Sequence, residues 1–177
     1  MSDVIQGVAV DYEKSFSLLQ ECDFTSETAL FSGHCYRLGH GVAKNQTKAM
    51  EHYTKAINCR EAEGFLGYAL CLLDIRKHTD ALDYLERAGK MGVAHAYFLL
   101  GKMHFYGDGI QKDRTRAFAY FEKGHRAGDD FSSHHLGLCY YYGYGCEKKP
   151  QSGLDLIELL AQKGDPVAIK WLRDHKK

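Results

Sequence analysis

Four glycines, Gly33, Gly67, Gly101 and Gly137, stand 34, 34 and 36 residues apart. A period of this length marks a stack of supersecondary units, because one such unit cannot bury its apolar face alone. Three of the glycines head the same phrase. It reads Gly33-x-x-Tyr36-x-x-Gly39-x-Gly41-Val42, then Gly101-x-x-His104-x-x-Gly107-x-Gly109-Ile110, then Gly137-x-x-Tyr140-x-x-Gly143-x-Gly145-Cys146. A second phrase follows each key glycine: Lys48-Ala49-x-x-x-Tyr53-x-x-Ala56, Ala81-x-x-x-Leu85-x-x-Ala88, Ala117-x-x-x-Phe121-x-x-Gly124 and Gly153-x-x-x-Ile157-x-x-Leu160. The first residues carry it too: Gly7-Val8, Asp11 and Lys14-Ser15-x-x-x-Leu19-x-x-Cys22 match the positions 34 residues later.

Each repeat reads as two helices, A and B, because apolar and small residues recur at three- and four-residue intervals in both halves. The Gly-x-Gly between them supplies backbone that can take positive φ and turn the chain back. Asp11, Asn45 and Asp113 share the position just before helix B, where a short polar side chain caps free N–H groups. Pro150 opens the fourth helix B, and Asp165-Pro166 opens a last helix over roughly 166–174. Small residues let helix backbones approach, and the large residue of each second phrase fills the space beside them. The second repeat departs: Leu70 follows Gly67, there is no Gly-x-Gly, and its turn is two residues shorter.

The phrase and its spacing resemble the Sel1-like repeat family, relatives of the tetratricopeptide repeats, from about Gly7 to Trp171. The resemblance implies an all-α fold, a right-handed α-α superhelix of about ten helices. One domain over 1–177 would hold a half repeat (1–25), repeats at about 26–59, 60–92, 93–128 and 129–164, and a terminal helix over 165–177. It also implies a non-enzymatic adaptor or scaffold that binds a protein or peptide partner in a concave groove. An inhibitor or immunity protein that blocks an effector enzyme is the alternative within the same class. The two cut repeats leave apolar edges at Tyr12, Phe16 and Leu19 and at Val167, Ile169 and Trp171, where a homodimer can form.

Composition and motifs narrow the function classes. Twenty-three basic residues balance 23 acidic ones, so the basic bias of a nucleic-acid binder is missing. The polarity is mild: residues 1–88 carry −4 and residues 89–177 carry +4. The longest nearly apolar stretch, Phe65 to Leu73, is half of a membrane span, and Met1-Ser2-Asp3 opens no basic leader. A cytoplasmic protein with reduced thiols is therefore expected. Cys35 and Cys139 share a packing column with Ala69 and Met103, Cys22 aligns with Ala56, and Cys146 replaces Val42 or Ile110. These read as small hydrophobes, and the cysteine spacing predicts no disulfide framework. His135 and Cys139 are four apart with no second pair, so neither a metal nor another cofactor is expected; a His/Cys metal or catalytic protein ranks last. Gly143-x-Gly145 has no third glycine and no preceding strand, which argues against a dinucleotide loop.

The inner surface remains. Relative to the key glycine, positions −6, −3, +1, +4 and +5 form one helical stripe. It selects Glu27, Leu30, His34, Arg37 and Leu38, then Glu61, Gly64, Tyr68, Cys71 and Leu72. It continues as His95, Phe98, Lys102, Phe105 and Tyr106, then Phe131, His134, Leu138, Tyr141 and Tyr142. The last two sets are strongly aromatic. Partner binding is expected there, anchored by Phe98, Phe105, Tyr106, Phe131, Tyr141 and Tyr142, with Lys102 and His134 as polar contacts and His34, Arg37 and Tyr68 extending the surface.

Overall fold

The computed structural model describes residues 4–5, 8–9, 11–21 and 25–175. Cys22 and Gly7 lie outside them. Among the described residues the chain forms ten helices and one short ribbon. It divides into two compact units, Met1–Ile75 and Arg76–Lys177, taken here in turn.

The N-terminal unit opens on strands β1 (Val4–Ile5) and β2 (Val8–Ala9), paired antiparallel with Val4 opposite Ala9. Val8, which the repeat pattern aligns with Val42 in an inter-helix turn, lies instead in this ribbon. Helices α1 (Tyr12–Glu21), α2 (Ser26–Leu38), α3 (Gln46–Asn58) and α4 (Ala62–Asp74) follow. The expected caps form: Asp11 accepts from the Lys14 N–H at 3.0 Å and Asn45 from the Lys48 N–H at 3.0 Å. Gly39 closes α2 in the left-handed conformation at φ 79°. The fully buried ring of Tyr53 on α3 lies between two glycines. A Cβ on Gly33 of α2 would come 2.8 Å from its Cε1, and one on Gly67 of α4 closer still.

The C-terminal unit comprises α5 (His78–Lys90), α6 (Ala94–Tyr106), α7 (Arg114–Arg126), α8 (Asp130–Tyr142), α9 (Pro150–Gln162) and α10 (Pro166–His175). Gly101 of α6 accepts the ring of Phe121 from α7, and Gly137 of α8 accepts Ile157 from α9. Phe121 and Ile157 are fully buried, each worth about 1.5–3 kcal/mol relative to exposure. The Asp113 N–H donates to the His104 carbonyl at 2.8 Å and the Lys149 N–H to the Tyr140 carbonyl at 2.8 Å; in the N-terminal unit the Asn45 N–H meets the Tyr36 carbonyl the same way. One backbone bond thus closes every Gly-x-Gly turn. The side chains of that column also pack alike, with His104 stacked on Tyr120 at 5.6 Å and Tyr36 on His52 at 5.4 Å. His104 is therefore a packed ring, as its alignment with the two tyrosines implies.

A second column latches successive repeats. The first residue of each helix B meets the residue seven places after the next key glycine. Tyr12 stacks on His40 at 4.5 Å, and Gln46 Nε2 donates to Asp74 Oδ2 at 3.3 Å. His78 Nδ1 lies 3.8 Å from Asp108, and the Arg114 guanidinium lies 4.4 Å over the Tyr144 ring. Beside this pair sits the second glycine of the turn. At Gly145, φ is +75° and a Cβ would strike the Arg114 carbonyl, so conformation and space both demand glycine. The second repeat manages without Gly-x-Gly, and Arg76 takes φ 59° in its turn.

A Gly101→Ala variant should lose about 2 kcal/mol in chemical denaturation, the usual scale of overpacking. Adding Phe121→Leu should recover part of the loss, because the new methyl would meet a smaller neighbour. Full stability of the single variant would show that Phe121 does not set the helix spacing.

Candidate functional site: the aromatic A-helix face

In the C-terminal unit, α6, α8 and α10 are the A helices, and their side chains continue from one helix to the next. At the N-terminal ends, the Phe98 ring lies 5.4 Å from Phe131 and 5.2 Å from His135. His95 lies 5.5 Å from Phe131, and Phe121 supports the group from below at 5.1 Å from His135. His95 Nδ1 is held 3.2 Å from Asp129, which also caps α8 through the Ser132 N–H at 2.6 Å. Burial opposes the Asp129 charge, but hydrogen bonds from His95 and Ser132 outweigh it and hold the carboxyl below its ordinary value.

At the C-terminal ends a longer ring series runs across the three helices. Tyr106 meets Phe105 at 5.0 Å, Phe105 meets Tyr144 at 5.5 Å, and Tyr144 stacks on Tyr142 at 5.3 Å. Tyr142 meets Tyr141 at 4.9 Å, and Tyr141 meets Trp171 edge-on at 5.0 Å. Trp171 stacks on His175 at 4.2 Å, and His175 Nε2 lies 3.2 Å from the Tyr142 hydroxyl. Aromatic pairs at these separations hold one another in place. Both groups still present rings outward, since Tyr106 is 60% and Tyr142 39% exposed in this series and Phe131 57% in the other.

The expected surface residues divide by environment. Lys102, Tyr106, Phe131, Tyr142 and His34 are exposed; Phe98, Phe105, Tyr141, Arg37 and Tyr68 are half-buried. His134 is buried at 7% exposure, and burial lowers its pKa, with the neighbouring His135 adding to the shift. It belongs to the packing between helices more than to the surface. Gly64, Cys71 and Leu72 of the same stripe are also buried. In the N-terminal unit the polar members already have partners. Arg37 Nη1 lies 3.4 Å from Asp74, the Tyr53 hydroxyl 3.1 Å from His34 Nδ1, and Tyr68 packs on the Tyr36, Tyr53 and Cys71 core. The aromatic face is thus a property of the C-terminal unit.

Tyr144, His135, Arg114 and His175 belong to this face but fall outside the sequence stripe. Tyr144 is the middle residue of Gly143-x-Gly145, so its helical register carries no signal. Trp171 stands 34 residues after Gly137, in the glycine column itself, and packs on the Ile157, Leu160 and Ala168 cluster. A depression of about 400 Å³ on the same unit lies beside α7 and α9, lined by Glu122, Arg126, Tyr140 and Leu156 among others. In it Arg126 pairs with Glu122 at 3.4 Å and Asp155 accepts from Gln151 at 2.8 Å, and none of its lining residues belongs to the aromatic face.

Among the described residues no group of three or more His, Cys, Asp or Glu side chains gathers to hold a metal ion. Cys35, Cys59, Cys71, Cys139 and Cys146 are free thiols. Burial pushes Cys71 and Cys139 up to about 12, which leaves them protonated and unreactive near neutral pH. Among the described residues no helix is long and apolar enough to cross a membrane.

Comparison with known proteins gives one family. Its model, described as the Sel1 repeat, matches residues 26–59, 61–93, 94–129 and 132–165. The fold is similar to that of a Sel1 repeat protein from Oxalobacter formigenes, with TM-score 0.78, 24% identity, and 94% of this chain and 71% of that one covered. It is also similar to c5321, a protective antigen of uropathogenic Escherichia coli with an SLR fold, at TM-score 0.67 and 25% identity. That match covers 91% of this chain and spans 36% of the antigen. Helicobacter pylori cysteine rich protein B aligns at TM-score 0.56 and 24% identity, over 73% of this chain and 96% of that one. No curated protein matches this sequence.

Thiol labelling of the native protein at pH 8 should modify exposed Cys59 rapidly and leave Cys71 and Cys139 untouched until denaturant is added. Mass spectrometry of the labelled peptides reads the order, and early labelling of Cys139 would contradict the packing described.

Proposed function

Because the chain belongs to the Sel1 repeat family, whose members generally mediate protein–protein interactions, we propose that it is a non-catalytic adaptor whose partner segment lies along the A-helix face of α6, α8 and α10. The observation that carries this reading is the outward exposure of Tyr106, Phe131 and Tyr142 on rings that are themselves buttressed from beneath. Rigid, half-supported aromatics give large contact area at small entropic cost, which is what the centre of a binding surface needs. Lys102, exposed on the same face, orients a partner by charge. The reading places the protein in the cytoplasm, with its cysteines kept as thiols.

A homodimer uses a different surface in this reading. Val167 and Ile169 on α10 are 54% and 39% exposed, with Leu159 on α9 at 49%. Sedimentation velocity should then show a concentration-dependent dimer that Val167→Lys disrupts. A single monomeric species at every concentration would refute it.

Tyr106 and Tyr142 are the clean probes of partner binding, whereas Tyr141 also packs on Trp171. The double variant Tyr106→Ala, Tyr142→Ala should capture at least tenfold less partner from source lysate, with Tm within a few degrees of the parent. Unchanged capture beside a large drop in Tm would sink the proposal.

A further inference from the structure

We propose that Arg114 is the receptor for a carboxylate of the partner, so that this face takes a linear acidic segment carrying a large apolar or aromatic residue beside its Asp or Glu. The inference rests on the adaptor reading and specifies the partner's chemistry. It comes from the latch column between repeats. At two junctions the residue seven places after the key glycine is an acid. Asp74 receives Gln46 and Arg37, and Asp108 faces His78. At the last junction that place holds Tyr144, and the residue opposite it is an arginine.

The guanidinium of Arg114 therefore lies over rings, 4.4 Å from the Tyr144 centroid and 5.6 Å from that of Phe105. Ring contact of this kind steadies the side chain without using its N–H donors. Arg114 is exposed, and its guanidinium makes no hydrogen bond or ion pair with any described residue. The other arginines of α7 are matched locally, Arg116 to Asp113 at 3.4 Å and Arg126 to Glu122 at 3.4 Å. None of the stripe positions on α6 and α8 is acidic. The acids closest in the chain are engaged, Asp113 by the α7 cap and Arg116, and Glu147 by Lys149. The site thus has a preorganised fork of donors with no carboxylate of its own. Tyr106 and Tyr142 border it through Phe105 and Tyr144 and offer exposed rings to the residue beside the acid. One guanidinium matches one carboxylate, as Arg37 does Asp74 where the chain supplies the acid itself.

Fluorescence anisotropy with synthetic peptides tests this. Asp and Phe are fixed two residues apart in a Gly/Ser background, with Asn-for-Asp and phosphoserine-for-Asp counterparts. The Asp peptides should bind the full chain at least tenfold more tightly than the Asn peptides. Arg114→Gln should abolish that difference while retaining the parent circular dichroism and a Tm within a few degrees of the parent. Tyr144→Asp should also abolish it, by supplying the acid in cis. Discrimination that survives Arg114→Gln overturns the inference, as does tighter binding of the phosphoserine series. Equal binding of Asp and Asn peptides, lost in the Tyr106→Ala, Tyr142→Ala variant, overturns it and leaves the adaptor reading standing. No binding by any peptide counts against both.

Discussion

The structure depends on a lock between a missing side chain and a large one. Glycine in the middle of helix A costs helix stability, roughly 1 kcal/mol relative to alanine. Here that loss is offset because the bare backbone lets a ring or branched chain from helix B enter the gap. Tyr53 between Gly33 and Gly67, Phe121 at Gly101 and Ile157 at Gly137 are three versions of this lock. Each large side chain is fully buried, so the lock sets the spacing of the helices as well as their stability. Trp171 inverts the arrangement. It occupies the glycine column and fills the space from the helix A side, against Ile157 and Leu160.

With the locks and closed turns satisfying the core, the side chains at +4 and +5 of α6 and α8 are left half-buried or exposed. In the C-terminal unit these are aromatic, and they meet their counterparts on the next helix as a continuous ring series. The same packing rule therefore produces both the scaffold and the surface offered to a partner. The difference between the units is chemical. The corresponding region around Arg37 is held by Asp74, whereas the rings around Tyr106 and Tyr142 remain open.

What could be read from the sequence was whatever repeats. The helix pairs, the caps at Asp11, Asn45 and Asp113 and the packed ring at His104 all follow from columns, because local chemistry decides them. Contacts that join columns of different repeats were not readable. Tyr144 and Arg114 look like ordinary turn and helix-start residues until the fold brings them 4.4 Å apart. Burial within the stripe was equally hidden. His134 and Cys71 share helical register with exposed neighbours, and only the approach of the adjoining helices covers them. The ribbon at Val4–Ile5 and Val8–Ala9 shows a limit of the repeat argument, since two-residue strands leave no periodicity to detect.

The latch column bears on how the junctions between repeats respond to ionic conditions. Tyr12 on His40 and Arg114 on Tyr144 are held by ring faces and apolar contact, which added salt weakens little. His78 and Asp108 face each other across 3.8 Å with Asp108 mostly in solvent, where counterions screen a charge contact. Rising salt would therefore weaken this contact at the α5 junction more than the aromatic ones. A solenoid of near-identical backbones thereby carries joints of unequal sensitivity to salt, set by the side-chain pair at each.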